Sequence, residues 1–410
     1  MFDFILKKFV PFGLARTLSL AGIPLLQFAV MYFCSKEEAG RFYFISNAAF
    51  VFTQVADLGM SRAFPVLFGA SDDADHPQLP AIMLTRWVFG LTFGTLFLLV
   101  NSFGNVTWHW SDIGLTATFF CLGRVILLGN QGYRHARQEY HLLLRGSVIH
   151  ILAASSVLGI SAWTGSFSAN VAFSALTLGI WSELVAIDAP RAHRLIDATY
   201  DLKKTFAVSL PYATVGIAQA VYGRVETFVA GHFLDQGTLG IFGTLDSGFK
   251  MCIWPSYVSA QTVFPAINEA VRKQNRLELK HVAKRHFKLA STICIAAMAF
   301  AAAYWWLKLA GDPQITMAAL FLWISIWMSI PTAFMIPLYY SLGLEKLLAD
   351  SMLKLAIFRC LVAIAFASLF NFVGLCATHA VVTLVAIMLL WKRVKLHLHT
   401  FLNPDASIPA

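Results

Sequence analysis

Basic side chains inside long apolar runs are the feature of this sequence most able to do chemistry. A charge within a bilayer costs about 2.5–3.5 kcal/mol on insertion scales, so such a residue predicts a functional site by default. Guanidinium groups bind phosphate oxygens bidentately and stay charged at any working pH. The residues are Arg16, Arg62, Arg86, Arg124, Arg224, Lys250 and Arg359. They predict non-covalent binding of an anion, a chemistry that needs no catalytic residue, metal or cofactor.

These basic residues differ in their predicted depth. The inner third of the N-terminal half holds Arg16, Arg62, Arg86 and Arg124, mid-depth holds Lys250 and Arg359, and Arg224 is nearer the outer face. Arg62 and Arg86 are close enough to the inner headgroups for snorkelling to explain them as well as a cavity would. Arg16 and Arg124 are deeper, which favours a cavity that binds substrate.

Two polar stripes support such a cavity. On the first apolar run Arg16, Ile23 and Gln27 share a helical face with Leu20, by spacings of three and four residues. The seventh run carries a second stripe: Tyr212, Gly216, Gln219, Tyr222 and Glu226. Lipid would require apolar side chains there, so we expect both stripes to face a shared central cavity.

Acidic residues are fewer within the apolar runs. Asp57 is expected to pair with Arg62, and Asp246 has Lys250 at i+4 on its own helix. Glu226 has no base at i±3 or i±4, so it is the best candidate for an acid that couples transport to protons or cations. Asp57 is a second candidate for that role, and the sequence does not assign a role to Glu183.

Composition defines the elements that must position these residues. Of 410 residues, 58% are hydrophobic and only 13% are charged, against about 45–50% and about 25% in soluble domains. This excludes an ordinary soluble enzyme, a nucleic-acid reader and a disordered chain. A spanning helix needs roughly 20 apolar residues, so the chain is predicted to be an all-α polytopic membrane protein.

The apolar runs predict about twelve spans. They cover 9–33, 41–66, 80–102, 110–130, 146–164, 168–188, 205–230, 238–265, 289–309, 315–340, 347–370 and 372–391. Most Lys and Arg residues outside the spans fall on one face, which holds both termini. The opposite face has only Lys36, Arg41 and Lys308. The positive-inside rule therefore predicts cytoplasmic termini.

Three further features bear on topology and processing. The first run is too long for a signal peptide and is expected to be an uncleaved span. The six cysteines lack paired spacing, and the histidines lack a convergent acid, so neither a disulfide framework nor a metal site is predicted. The basic segment 269–288 is predicted as a solvated loop, with a helix lying on anionic headgroups as the alternative.

An internal repeat with an offset of 200 residues predicts two lobes. Four pairs coincide at this offset: Phe28 and Phe228, Phe33 and Phe233, Gly40 and Gly240, and Phe42 and Phe242. Six spans per half make the repeats parallel, related by a pseudo-twofold axis along the membrane normal. The predicted domains are residues 1–200 (spans 1–6), residues 201–395 (spans 7–12) and a cytoplasmic tail at 396–410.

Four short motifs resemble one transporter family. Glu226–Gly231 and Thr238–Phe242 look like its span 7–8 junction, and Glu37–Phe42 like its signature between spans 1 and 2. Asp57–Met60 and Val263–Ala266 resemble the ends of its spans 2 and 8. The family is the Wzx-type polysaccharide-biosynthesis flippases of the multidrug/oligosaccharidyl-lipid/polysaccharide exporter superfamily. The chain departs from the pattern after the span 7 acid, where Thr227 replaces a basic residue that is often present.

The resemblance implies a function. A member of this family would move a polyprenyl-pyrophosphate oligosaccharide, of O-antigen or exopolysaccharide type, across the bacterial inner membrane by alternating access. A coupling ion, proton or sodium, and a polysaccharide polymerase or export complex are implied partners. No nucleic acid is implied.

Other functions stay open. A multidrug or other exporter of the same superfamily is expected to have fewer arginines and more acids in its cavity. A membrane-embedded polymerase or ligase usually needs a large outer loop or an acid pair, whereas the predicted outer loops are short and carry no acid pair beyond Glu37 and Glu38 in a turn. A scaffold in an export complex is a third alternative.

Overall fold

The computed structural model describes residues 10–59, 61, 79–103, 111–136, 139–187, 202–309 and 312–402. These residues form α-helices joined by turns, and no strand occurs among them. The first six helices are α1 (Val10–Phe33), α2 (Lys36–Asp57), α3 (Leu79–Phe103), α4 (Ser111–Ala136), α5 (Tyr140–Trp163) and α6 (Ala169–Ala186). The others are α7 (Leu202–Tyr222), α8 (Val225–Phe233), α9 (Gln236–Arg272), α10 (Arg276–Leu309), α11 (Pro313–Ser341) and α12 (Glu345–Leu402). The all-helical prediction is confirmed.

The helices follow the order of the predicted spans, but span 7 is divided into α7 and α8 by a turn at Gly223 and Arg224. Spans 11 and 12 form one element, α12, whose backbone leaves the helical region only at Asn371 (φ 56°, ψ −140°). The two halves of α12 fold back on each other there, since Arg393 after Asn371 donates to Asp350 before it (2.8 Å), and a Cβ added to Gly374 would lie 2.0 Å from the Phe366 carbonyl oxygen. The hairpin predicted around Asn371 and Gly374 is confirmed.

Two helix ends differ from their predicted positions for physical reasons. Helix α2 ends at Asp57 rather than at residue 66, because Leu58 and Gly59 adopt the left-handed conformation that closes a helix. Helices α9 and α10 extend past the predicted ends of spans 8 and 9 and meet at a short turn, where Gln274 has a φ of 52°. The basic segment 269–288 is therefore largely helical and continuous with both helices.

Local caps explain where several helices begin. The Ser35 hydroxyl accepts from the Glu38 amide (3.3 Å) at the start of α2, and Ser168 does the same for Val171 at the start of α6. The Glu38 carboxylate also accepts from the amide of Ala169 (3.2 Å). The family-like motif 37–42 thus joins the beginnings of α2 and α6.

Five helices in the described part of the chain are long and apolar enough to cross a membrane. They lie in Tyr140–Trp163, Ala169–Ala186, Arg276–Ala303, Pro313–Ser341 and Glu345–Leu398. On α5 large apolar side chains such as Ile160 and Trp163 are exposed, as expected of a surface that faces lipid. The twelve-span topology and the cytoplasmic termini stay predictions.

The chain divides into two compact units. The first comprises Met1–Phe228 and Gln236–Gly243, and the second Val229–Asp235 and Thr244–Ala410. In the first unit α2 is central, since it packs against α1, α3, α4, α6 and α7. In the second, α11 packs against both α10 and α12. The predicted domain boundary at residues 200 and 201 stays a prediction.

The repeat has a direct structural counterpart in the first unit. A Cβ atom added to Gly40 would lie 2.2 Å from the Gln236 carbonyl oxygen, and one added to Gly240 would lie 2.1 Å from that of Lys36. Gly40 and Gly240 are 200 residues apart, as are Lys36 and Gln236. Each glycine therefore contacts the repeat equivalent of the residue that the other contacts. This reciprocity supports a local twofold relation between the beginnings of α2 and α9. Symmetry of the whole lobes stays a prediction.

We expect Gly40→Ala and Gly240→Ala each to destabilise the protein by about 1–3 kcal/mol or more, because the added methyl group meets backbone that cannot move aside. Thermal unfolding in detergent measures this. Gly159→Ala is the control, since no atom lies within 4 Å of a Cβ at this helical position. Equal melting temperatures for all three variants would contradict the close contact.

Candidate functional site

Arg86 and Asp57 form a buried ion pair in the first unit. Arg86 on α3 is 1% exposed, and its Nη2 donates to Asp57 Oδ1 at the end of α2. The Arg86 Nε donates to the Val125 carbonyl oxygen (3.3 Å). Asp57 Oδ2 accepts from the hydroxyl (2.7 Å) and the amide (3.3 Å) of Ser61. The pair therefore ties α2, α3 and α4 together.

This geometry bears on two expectations. Asp57 pairs with Arg86, which the sequence did not suggest, whereas Arg62 lies outside the described residues, so its pairing with Asp57 stays a prediction. Snorkelling does not explain Arg86, because its guanidinium ends on a buried carboxylate rather than at a headgroup. The spacing of Asp57 and Arg62 is visible in the sequence, whereas Arg86 belongs to the next helix. Contact of Arg86 or Asp57 with substrate would require this pair to open.

Arg124 lies in a polar cluster between α4, α5 and α6. Glu183 is completely buried and accepts from Gln131 Nε2 through Oε1 (2.7 Å). Its Oε2 lies 2.8 Å from Nδ1 of His150. Arg124, 6% exposed, interacts with the Glu183 charge beyond ion-pair distance. This cluster resolves the ambiguity of Glu183: its carboxylate is the shared partner of an amide, an imidazole and a cation.

The same cluster has spare hydrogen-bonding capacity. Among the described residues Arg124 makes no direct hydrogen bond. Gln131 Oε1 and His150 Nε2 are also buried without a hydrogen-bond partner in that part of the chain. Buried polar groups are normally satisfied. A buried guanidinium beside unsatisfied polar atoms therefore marks Arg124 as a candidate ligand for an anion.

The first polar stripe is only partly described. Gln27 on α1 is buried, and its Nε2 donates to the Ala39 carbonyl oxygen (3.1 Å) at the start of α2. Its Oε1 has no hydrogen-bond partner among the described residues. The backbone of Arg16 belongs to α1, and its side chain lies outside the description. The cavity role of both residues stays a prediction.

The break in span 7 positions Arg224 and Glu226. The Arg224 guanidinium lies over the Phe50 ring, 4.6 Å from its centroid, a cation–π contact. Glu226 is buried in the first turn of α8, where the helix dipole favours a negative charge. Thr227, the departure from the family motif, bonds through Oγ1 to the Tyr43 hydroxyl (2.8 Å). Coupling through Glu226 stays a prediction.

Lys250 and Arg359 belong to a second cluster, in the second unit. Lys250 is ion-paired with Asp246 Oδ2, which confirms the i+4 pair predicted on this helix. Asp246 Oδ1 lies 3.3 Å from His379 Nε2, and His379 Nδ1 lies 2.6 Å from Arg359 Nη2. No sequence pattern singled out His379 or His150, because their partners belong to other segments and not to neighbouring turns.

No family model and no curated protein matches this chain. Solved structures do. An inward-facing multidrug resistance MATE family transporter of the MOP superfamily has a TM-score of 0.69 at 16% identity, covering 94% of this chain and 96% of its own. The eukaryotic MATE transporter AtDTX14 scores 0.69 at 13% identity (98% and 99% covered). The lipid II flippase MurJ, in an inward closed conformation, scores 0.68 at 14% identity (96% and 90% covered). The chain shares the MOP transporter fold.

The fold is shared by proteins with different substrates, so it does not identify the substrate of this chain. The similar structures are described as transporters and a flippase. They include both a multidrug resistance transporter and a lipid II flippase, and one fold commonly serves several functions. The substrate must therefore be argued from the charged clusters that this chain places on the MOP fold.

Proposed function

We propose that this protein is a flippase for a lipid-linked polyprenyl-pyrophosphate oligosaccharide. It moves this substrate from the cytoplasmic to the outer leaflet of the bacterial inner membrane by alternating access, for O-antigen or exopolysaccharide synthesis. The observation that carries the proposal is Arg124, a buried guanidinium with no direct hydrogen bond among the described residues. Such a group can donate hydrogen bonds to the oxygens of a pyrophosphate without first losing another hydrogen bond.

The basic residues predicted to bind substrate fall into two groups according to their contacts. Arg86 and Lys250 are each ion-paired with a carboxylate, so they are poor candidates for the first contact with a phosphate. Arg124 is a better candidate, because its guanidinium approaches the Glu183 carboxylate only at longer range. We therefore propose Arg124 as the main phosphate ligand, with Arg16, Arg62, Arg224 and Arg359 as secondary ones.

No covalent chemistry is involved in this function. The guanidinium groups hold the pyrophosphate, the polyprenyl chain stays in the bilayer, and the sugars follow through the polar path. Glu226 is the proposed coupling acid, with a proton or sodium ion as its ligand, and a polymerase or export complex would receive the flipped substrate. Asp57 is a weaker candidate for coupling because it is bound by Arg86 and Ser61.

A multidrug exporter is the second candidate, favoured by the similarity to MATE transporters. A lipophilic cation needs an unneutralised buried acid. Asp57 and Asp246 are each ion-paired with a base, and Glu183 is shared by His150, Gln131 and Arg124. The fourth buried acid of the described residues, Glu226, is the proposed coupling acid and belongs to none of these clusters. The clusters themselves therefore favour an anionic substrate over a cationic one.

Ligand-induced thermal stabilisation separates the two functions. We expect farnesyl-diphosphoryl-N-acetylglucosamine to raise the melting temperature of the purified protein, and tetraphenylphosphonium to leave it unchanged, since a ligand stabilises the state that binds it. Farnesol is the control for the lipid chain alone. Stabilisation by the cation but not by the diphosphate would favour the exporter and overturn the flippase.

A further inference from the structure

The first turns of helix α10 are basic and have no part in the proposed transport mechanism. Leu279, His286 and Ala290 recur at spacings of seven and four residues and are buried, so they define the helix face that packs within the second unit. His286 Nδ1 lies 3.0 Å from the Ser259 hydroxyl on α9, and its Nε2 lies 3.2 Å from the Ile330 carbonyl oxygen on α11. The opposite face of α10 therefore points away from these helices.

This opposite face carries a row of lysines. Lys280, Lys284 and Lys288 recur every four residues, so they are neighbours on one side of the helix, and all three are exposed. Seven residues after Lys288, on the same side, Ile295 is 52% exposed. Because α10 includes a segment long and apolar enough to cross a membrane, we expect this isoleucine to face lipid chains. The lipid-facing surface of α10 thus continues directly into the three lysines.

The length of α10 places two of these lysines at the depth of lipid headgroups. Residues 289–309 form roughly 30 Å of helix, which matches the thickness of the hydrocarbon core. Their only charged residue is Lys308, near the far end. The headgroup region adds about 5–7 Å on each side of the core. Lys288 and Lys284, about 6 Å apart along the helix axis, fall within that interval, and Lys280 lies one turn further out.

The protein does not neutralise these lysines. None of the three is in an ion pair within the part of the chain that the structure describes. The acids nearest in sequence are engaged elsewhere: Glu269 pairs with Lys273 (2.6 Å), and Glu278 and Asn275 bond to each other at the start of α10. The next acid along the chain is Asp312, beyond the far end of the helix. The exposed positive charge therefore lacks a counter-charge from the described residues.

We propose that the lysine face of α10, formed by Lys280, Lys284 and Lys288, binds the phosphate headgroups of anionic phospholipids. The occupant is a lipid of the surrounding bilayer, because the lysines continue a surface that faces lipid chains and stand at headgroup depth. Electrostatic attraction supplies about a factor of five in affinity for each lysine near the membrane surface. The site is distinct from the pyrophosphate site at Arg124 and does not rest on the flippase function.

Lysine acetylation in nanodiscs tests the site residue by residue. The full-length protein is placed in dioleoylphosphatidylcholine, with or without dioleoylphosphatidylglycerol, treated with sulfo-N-hydroxysuccinimide acetate and analysed by peptide mass spectrometry. We expect phosphatidylglycerol to slow acetylation of Lys284 and Lys288 about threefold or more relative to Lys273, which is exposed but paired with Glu269. Sodium chloride at about 1 M should abolish this protection by screening. No slowing at Lys284 and Lys288, or equal slowing at Lys273, overturns the proposal.

Native mass spectrometry in detergent measures the affinity of the first bound phosphatidylglycerol. Lys284→Gln/Lys288→Gln should lower it about tenfold or more and leave phosphatidylcholine binding unchanged. The matched control Lys273→Gln/Lys354→Gln removes the same charge from two exposed lysines that are in i+4 ion pairs, and should change the affinity about twofold or less. An unchanged affinity in the first variant, or equal losses in both, overturns the proposal. Normal phosphatidylglycerol affinity with lost binding of farnesyl-diphosphoryl-N-acetylglucosamine would assign this face to the substrate and also overturn it.

Discussion

Arg124→Ala is expected to reduce translocation of a lipid-linked oligosaccharide about tenfold or more. Removing a hydrogen bond to a charged group costs about 1.5–3 kcal/mol, and each 1.4 kcal/mol is a factor of ten in binding. Arg124→Lys should retain part of the activity, because it keeps the charge and loses only the bidentate geometry. Initial rates in proteoliposomes, at matched protein incorporation, give the comparison.

Two controls keep this result interpretable. Arg145→Ala removes an exposed arginine from the neighbouring helix α5 and should leave the rate unchanged. Arg124→Ala also leaves the buried Glu183 without a nearby cation, so its melting temperature must be measured beside its rate. A variant that folds normally and translocates at the wild-type rate would remove Arg124 from the substrate path.

Arg86→Met is expected to destabilise the protein by about 3–5 kcal/mol, the usual consequence of leaving a buried charge without its partner. Asp57 is buried among α2, α3 and α4, and of the described residues Ser61 alone still donates hydrogen bonds to it after the substitution. Because the methionine retains most of the side-chain length, lost packing is a minor part of this effect. Thermal unfolding monitored by size-exclusion chromatography in detergent provides the measurement.

The double variant Asp57→Asn/Arg86→Met separates charge from packing. Asparagine still accepts from Ser61 and carries no charge, so the double variant should recover at least about half of the lost stability. Lys354→Met, which breaks an exposed i+4 pair with Asp350, is the matched control and should change stability by about 0–1 kcal/mol. Equal destabilisation by the single and double variants would argue against a buried ion pair.

The sequence predicted those features that depend on neighbours along the chain. The length of the apolar runs predicted the all-helical fold, and the i+4 spacing predicted the Asp246–Lys250 pair. The 200-residue offset identified Gly40 and Gly240, each of which packs closely against the segment that contains the other. Each of these is a local property of one helix or of two similar segments. Helix geometry alone is sufficient to derive them.

Contacts between helices were beyond this kind of reasoning. Sequence spacing suggested only Arg62 as a partner for Asp57, whereas Arg86, which pairs with it in the structure, is on another helix. His150 and His379 have no distinctive spacing, yet each meets a buried acid from a different segment. Hydrophobic patterns also did not reveal the break between α7 and α8, since Gly223 and Arg224 interrupt an otherwise continuous apolar run.

The contacts also change the interpretation of the basic residues within the predicted spans. Counted along the chain, seven basic residues within or beside spans suggested a strongly cationic path. In the structure Arg86 and Lys250 are ion-paired with carboxylates, whereas Arg124 is buried without a direct hydrogen bond among the described residues. A few placed guanidinium groups, rather than a general excess of charge, are thus proposed to recognise the pyrophosphate.

Translocation by the purified wild-type protein tests the central proposal most directly. Proteoliposomes are loaded with a fluorescent polyprenyl-diphosphate oligosaccharide, and a membrane-impermeant quencher reports the fraction on the outer leaflet after the outer pool has been bleached. We predict that the fluorescent fraction on the outer leaflet recovers with wild-type protein. With Arg124→Ala or with empty vesicles, the recovery should be far slower. Recovery no faster than in empty vesicles, together with uptake or efflux of a lipophilic cation, would contradict the proposal.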